Sequence, residues 1–474
     1  MPTTLPLSND TLSLTSSLSH PVIPAGNGAL DQPRLVHLLL EITGGSQGKS
    51  LPMNLGLVVD VSESMRIRLV SDAQFRHLAS QGLAQEIITD GVPAWQINAA
   101  SSEVVNQLPR RIDYLRTALI KLADYLTAMD RFSLVAFAGR SQVILPNLSG
   151  QERDRLRMSA GSLEYLNLGE GTQMDEGMRL GLEELVRTPE DSDGIARASQ
   201  LILLTDGHTR GVEQCYALAR QARQLSLPIS TMGIGSEFNE DLLIPLADLT
   251  GGHAHYIENP QQIESAFNTE LGAARAVRFR NLEIKLRFPK GVELRHVHRI
   301  LPELGLFDPG PNQDSSYGLL LGNYDPSAPP ALLLELLLPT WQSGTYRLTQ
   351  AVLAWDDPQG GLGRANQRQD ILIQVNSPDQ SIPGPSQRVL NLVEKVHAFQ
   401  LGSQALDDAA RGDLQAATLR LRQAATRLLD MGESLLANEM IRQAETLEQG
   451  GGLDPNITKK LRYQTRRLTR QLKN

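Results

Sequence analysis

The sequence predicts an α/β protein in which a doubly wound, mainly parallel six-stranded unit is inserted into a discontinuous antiparallel β-sandwich and followed by an α-helical domain. Three observations predict it. Between residues 54 and 275, short apolar and β-branched runs alternate with longer stretches of helical spacing, the pattern of strands joined by crossover helices. From residue 276 the apolar residues recur at every second position. After the Pro/Ser/Gln-rich stretch SPDQSIPGPSQ, a stripe at steps of three and four returns. A chain of 474 residues also exceeds one compact core, since domains run to about 100–200 residues.

In the α/β unit, set at residues 49–275, the expected strands are Leu55–Asp60, Phe132–Phe137, Gln142–Leu145, Leu201–Thr205, Pro228–Gly233 and His253–Ile257. Several are almost uniformly apolar, as strands covered on both faces must be. Helices are expected at about 112–129, 173–187, 211–224, 239–248 and 260–275. In the first, Ile112, Leu115, Leu119, Leu122 and Leu126 line one face. Beyond it, Leu282, Ile284, Leu286 and Phe288 alternate with Glu283, Lys285 and Arg287, and further strand-like runs fall at 317–321, 331–338, 345–354 and 370–375. Leu12–Leu18 and Leu35–Ile42 have the same texture and are too few to stand alone, so residues 1–48 are expected to pair with 276–377. The linker spans 378–388. In the helical domain, 389–474, Leu414, Ala417, Leu421, Ala424 and Leu428 form a stripe opened by the capping residue Asp413, with helix ends at Gly432 and Gly450–Gly452.

Composition narrows the function. With 41 % hydrophobic and 21 % charged residues the chain is of ordinary globular type. A single cysteine, Cys215, excludes an internal disulfide and multi-cysteine metal sites, which fits a reducing cytoplasm, and Cys215 itself reads as an inert helical thiol. No apolar run approaches the roughly 20 residues of a membrane span, so the expectation is a cytoplasmic protein without membrane attachment. The net charge of −8 argues against general polyanion binding. The last twenty residues depart from that balance: Lys459, Lys460, Arg462, Arg466, Arg467, Arg470 and Lys473 have no acid among them. They are open to three readings: a face docked or solvated within the chain, a site for an acidic protein, or an RNA contact.

Ligands of open parallel sheets sit at the carboxyl ends of the strands. Three oxygen-rich segments fall there: Asp60-Val61-Ser62-Glu63-Ser64, Gly169-Glu170-Gly171-Thr172 and Thr205-Asp206-Gly207. Asp60, Ser62 and Ser64 alternate, so one extended turn aims all three at a single centre. Together with Thr172 and Asp206 they form a set of hard oxygens without Cys or His, suited to Mg²⁺, Mn²⁺ or Ca²⁺ and unsuited to zinc.

Asp60-x-Ser62-x-Ser64, then Gly-Thr172, then Thr-Asp206-Gly, each at such a strand end, resembles the metal-ion-dependent adhesion site of von Willebrand factor type A domains, which are Rossmann-like. The resemblance covers about 54–275, including the closing GGHAHYIENP, and the whole layout is similar to bacterial cytosolic proteins of this class. It implies that Ser62, Ser64 and Thr172 contact a divalent cation, Mg²⁺ first, with Asp60 and Asp206 doing so directly or through water. It further implies a metal-dependent protein-interaction or scaffold module whose partner presents Asp or Glu to the ion, with no enzymatic turnover and no small-molecule substrate. A metal-dependent hydrolase and an RNA-binding protein acting through the basic tail are the alternatives. For hydrolysis only Glu63 and His208 offer a general base near the ion.

Residues 66–111 intervene where the metal loop and first long helix would otherwise be close. They contain a helix-like SDAQFRHLASQG and a hairpin-like EIITDGVPAWQI, and are expected to overhang the metal face with Trp95 as an anchor for the partner or as part of the insertion's own core. Gly171, Glu63 and His208 are further candidates for partner contact. His253/His255 and His296/His298 are i, i+2 pairs with no third ligand apparent, which favours structural roles.

Overall fold

The computed structural model describes residues 11–26, 33–45, 49–68, 78–89, 92–97, 108–187, 194–235, 237–307, 316–358, 363–377 and 379–469. One six-stranded sheet runs Ala254–Ile257, Ile229–Ile234, Ala198–Thr205, Met53–Asp60, Arg131–Phe137, Ser141–Ser149. All its pairings are parallel except the last, where Ser141–Ser149 closes the edge antiparallel. Met53–Asp60 is buried at every position because helices cover both faces. Arg111–Tyr125 and Ile263–Ala276 pack on one side, and Met174–Val186, Val212–Gln224 and Glu240–Thr250 on the other. From Met53–Asp60 the chain goes to Arg131–Phe137 on one side and later to Ala198–Thr205 on the other. The order reverses at this point, which opens a crevice beyond the carboxyl ends.

The sandwich is assembled from both sides of that insertion. One sheet orders Leu12–Leu18, Arg34–Gly44, Ala331–Leu338, Glu293–Leu301 and Gly305–Leu306; the other orders Ser316–Tyr324, Phe279–Arg287, Gly344–Asp357, Gly363–Asn376 and Val22–Pro24. Leu282, Ile284, Leu286 and Phe288 point into it, with Lys285 and Arg287 exposed. Each such buried side chain contributes about 1.5–3 kcal/mol.

The run ALLLELLL has no polar alternation for a physical reason. Leu334, Leu336 and Leu338 fill the sandwich, and Leu333, with Leu39 and Ile300, is buried from the other side by Val389, Val393 and Val396 of the helical domain. Among the described residues that domain has four helices, Gln387–Ala410, Leu414–Asp430, Ser434–Glu448 and Pro455–Thr465, with Gly432 and Gly450 at two of the helix ends as expected. Asp413 caps the second, its Oδ1 accepting from the Ala416 N–H at 3.0 Å. The elements not anticipated include the helix Arg153–Ser162 and the strands Val22–Pro24, Glu293–Leu301 and Gly305–Leu306. Among the described residues no helix is long and apolar enough to cross a membrane.

Candidate metal centre

Adjacent parallel strands end together, so Asp60 and the Thr205-Asp206 pair arrive side by side, and both carboxylates are fully buried. Asp60 is held in one orientation: its Oδ1 accepts from the Ser62 N–H at 2.9 Å and its Oδ2 from the Thr205 hydroxyl at 2.7 Å. The Ser62 and Ser64 hydroxyls lie 3.0 Å apart, and Ser64 Oγ donates to Asp206 Oδ1 at 2.7 Å. The second loop is pressed against the first by a close backbone approach at Gly139. A Cβ there would sit 2.2 Å from the Glu170 carbonyl oxygen, and the Gln173 N–H donates to the Ala138 carbonyl at 2.7 Å. This brings Thr172 to the edge of the third loop, where its Oγ1 would lie 3.5 Å from a Cβ built on Gly207. Burial, and then the charge of Asp206, push the Asp60 carboxyl up to about 6. Two buried acids with converging hydroxyls are a donor set that fits a hard divalent cation.

One participant was not foreseen. Arg111 Nη1 donates to Asp206 Oδ2 at 2.6 Å, with Arg111 13 % exposed and Asp206 0 %. The insertion explains its arrival: a bridge between Arg68 and Arg110 closes the segment, and the helix Arg111–Tyr125 begins immediately afterwards. Gly235, at φ +73 past the end of Ile229–Ile234, leaves room for the guanidinium, since a Cβ there would stand 3.2 Å from Arg111 Nη2.

The sequence profile of the von Willebrand factor type A domain matches residues 101–269, a range that contains Thr172 and Asp206 and begins after the Asp60–Ser64 loop. The α/β unit is a von Willebrand factor type A domain. Residues 387–471 match the Sll0103-like C-terminal α-helical domain. The Synechocystis sp. protein designated "Uncharacterized protein sll0103" is 26 % identical over 443 residues, 92 % of each chain. Escherichia coli YfbK, also designated uncharacterized, is 24 % identical over 169 residues, 34 % of this chain and 28 % of its own. The fold is shared with the solved von Willebrand factor type A protein of Catenulispora acidiphila, with TM-score 0.71, 16 % identity and 97 % of each chain covered. A type A domain marks the chain as carrying a protein-interaction module.

Around the type A domain's crevice, Glu63 and His208 are exposed, and Gly171 is exposed with φ +102. Trp95 lies on Val92–Ile97, which pairs with Ala84–Thr89 in the expected hairpin register; its side chain, like most of the helix-like SDAQFRHLASQG, lies outside the described residues. Cys215 is buried, which pushes its thiol up to about 12, in keeping with an inert role.

The basic tail lies against the chain itself, the first of the three readings open to it. Its described cations face acids of the type A domain, the sandwich and the helical domain. Lys459 is buried over the Phe238 ring, donates to the Phe238 carbonyl at 2.7 Å and pairs with Glu240. Lys460 meets Glu258 at 3.4 Å, Arg462 bridges Asp241 and Asp407 at 2.6 Å each, and Arg467 lies 3.9 Å from Glu303. Arg466 makes two bonds to Asp248, at 2.6 and 2.7 Å. These residues do not form the exposed strip that RNA readout requires. Arg470 and Lys473 lie outside the described residues.

The reading of His253/His255 also changes, because a third polar partner is present. Glu270, on Ile263–Ala276, is fully buried between them. Burial opposes its charge, but His253 and His255 hold its carboxyl well below the ordinary range. No local spacing links Glu270 to the pair; the fold alone joins them.

Proposed function

We propose that the chain is a divalent-metal-dependent protein-interaction module, in which Asp60, Ser62, Ser64, Thr172 and Asp206 hold a cation, Mg²⁺ first, and a partner protein's Asp or Glu completes its coordination. The observation that carries this reading is the pair of fully buried carboxylates, Asp60 and Asp206, meeting at adjacent strand ends with Ser64 bonded to one of them at 2.7 Å. When bound, the ion supplies an electrophilic centre for a carboxylate. The chain's own residues do the positioning. Thr205 and the Ser62 N–H fix the Asp60 carboxylate, Ser64 aligns with Asp206, and the loop seated on Gly139 presents Thr172. Metal and partner then depend on one another.

Binding is favoured over hydrolysis because both general-base candidates, Glu63 and His208, sit exposed at the rim with no hydrogen-bond partner among the described residues to orient them, whereas the buried groups are acceptors and hydroxyls suited to holding an ion. The test pairs Mg²⁺ and Mn²⁺ titration of the full chain with recovery of partners from native lysate, with and without chelator. One hard-cation site is expected in the wild type and none in Asp60→Ala, with the same partner lost on chelation and in the variant. Recovery unchanged by both treatments rejects metal-bridged recognition.

A further inference from the structure

At the opposite end of the same sheet lies a second constellation, with different chemistry. Gln200, Ser230 and His253 stand at the amino ends of their strands, while the oxygen-rich loops stand at the carboxyl ends. Gln200 lies near the start of Ala198–Thr205 and Asp206 just past its end, six residues on, roughly 20 Å at about 3.3 Å per residue. The two sites are therefore independent.

His253 Nδ1 lies 3.0 Å and His255 Nε2 2.6 Å from the same oxygen, Glu270 Oε1. The three candidate donor atoms all fall within 4.8 Å of one another. The other carboxylate oxygen, Oε2, is bonded by Gln200 Nε2, which is itself held by Ser230 Oγ at 2.9 Å. Ser230 Oγ also accepts from the His253 N–H at 3.1 Å, fixing the strand that carries both imidazoles. Glu270 is 0 % exposed and the two histidine side chains 9 % and 23 %. The histidines border a cavity of about 480 Å³ between the type A domain and the sandwich, walled on the far side by Pro302, Phe307 and Leu321.

We propose that His253, His255 and Glu270 form a second metal site, for a borderline divalent ion of the zinc class, with its fourth position open to this cavity. Two imidazoles and one carboxylate are a donor set that zinc and Co²⁺ take in preference to Mg²⁺. Zinc bonds of about 2.0–2.1 Å in tetrahedral array place donor atoms about 3.3 Å apart. The imidazoles need to open by less than about 1 Å from Glu270 to reach that, and the cavity beside them gives the room. Gln200 is the outer-shell group that orients the carboxylate. Sites closed by four protein ligands are structural, whereas three ligands beside a cavity leave a position for an exchangeable small ligand.

The experiment titrates Co²⁺, and Zn²⁺ in competition, into the full chain carrying Asp60→Ala, which silences the hard-cation loops. One equivalent of Co²⁺ is expected, with the visible absorption of a four-coordinate ion, bleached by Zn²⁺. Adding His255→Ala or His253→Gln is expected to weaken binding at least 100-fold, and Gln200→Ala about tenfold, with circular dichroism verifying that each variant is folded. His253→Gln, at the more exposed ligand, serves if the buried His255→Ala fails to fold. Absence of a Co²⁺ spectrum in Asp60→Ala, or a spectrum indifferent to a folded His253 or His255 variant, overturns the proposal. Neither result touches the Mg²⁺ site, which is read separately in the chain with Asp60 intact.

Discussion

At the scale of single residues, the contact that bears most directly on the proposed hard-cation site is the one between Arg111 and Asp206. A guanidinium 2.6 Å from a fully buried carboxylate supplies the positive charge that a divalent ion would otherwise supply. At the site proposed above, an incoming ion would therefore displace a resident cation. Hydrogen bonds to charged groups contribute about 1.5–3 kcal/mol, and 1.4 kcal/mol corresponds to tenfold in an equilibrium constant. Arg111→Gln is accordingly expected to raise Mg²⁺ or Mn²⁺ affinity roughly tenfold or more, measured by calorimetric titration. Affinity unchanged or reduced would show that Arg111 supports the site instead of competing for it. On the proposed function, such an arginine would make readiness for a partner depend on the start of the helix Arg111–Tyr125, and hence on the insertion that delivers it.

At the scale of elements, the strand Glu293–Leu301 and the helix Gln387–Ala410 meet through a histidine cluster. His298 is 3 % exposed; burial, and then its neighbour His296, pull it down to about 4 from 6.5. His37 is likewise lowered by burial, and Glu335, His397 and Gln400 complete the contact. The unfolded chain takes a proton at His298 near pH 6.5, whereas the folded chain keeps it neutral until about 4. Stability therefore rises with pH across that window and is lost as pH falls through it, by about 2 kcal/mol at pH 5 for this one residue. Urea denaturation at pH 7 and pH 5 is expected to show that loss in the wild type and a smaller one in His298→Gln. The same strand shows where legibility stopped. Arg295, His296, His298 and Arg299 break its period-two pattern, because both sides are covered at its end: His298 is buried against Gln400 of the helical domain and Arg299 on Asp248 of the type A domain. Leu55–Asp60 and Leu282–Phe288 were legible because their surroundings are uniform. Asp60-x-Ser62-x-Ser64 was legible because its geometry is local. Arg111 on Asp206, 95 residues away, and Glu270 between His253 and His255 were not, since helices and strands must first be packed for either group to form.

At the scale of the whole molecule, one carboxylate joins the three units. Asp248, on Glu240–Thr250 of the type A domain, accepts from Arg299 of the sandwich at 2.6 Å and from Arg466 of the C-terminal segment at 2.6 and 2.7 Å. The Arg466 carbonyl in turn accepts from the Leu304 N–H at 2.7 Å, so the tail is tied to both units at once. The guanidiniums are 7 % and 3 % exposed, and neither is solvated well enough to lose its partner cheaply. Removing one member of a buried charge group leaves the others uncompensated, at a cost of about 3–5 kcal/mol. Asp248→Asn keeps the shape and removes the charge. It is therefore expected to lower stability by that order and to split a single thermal transition into separate ones, as the helical domain releases before the type A domain. Calorimetry checks this, and a variant that melts as one unit at the wild-type temperature would mean that the apolar contacts of Leu39, Ile300 and Leu333 with the helical domain suffice to hold it. The helix Ile263–Ala276 runs into Phe279–Arg287 across two residues, so strain at the metal loops has a short covalent route into the sandwich. With Asp248 intact that route meets a body already clamped at its far side, so partner binding should move the units together; in Asp248→Asn, hydrogen exchange on binding should stay within the type A domain.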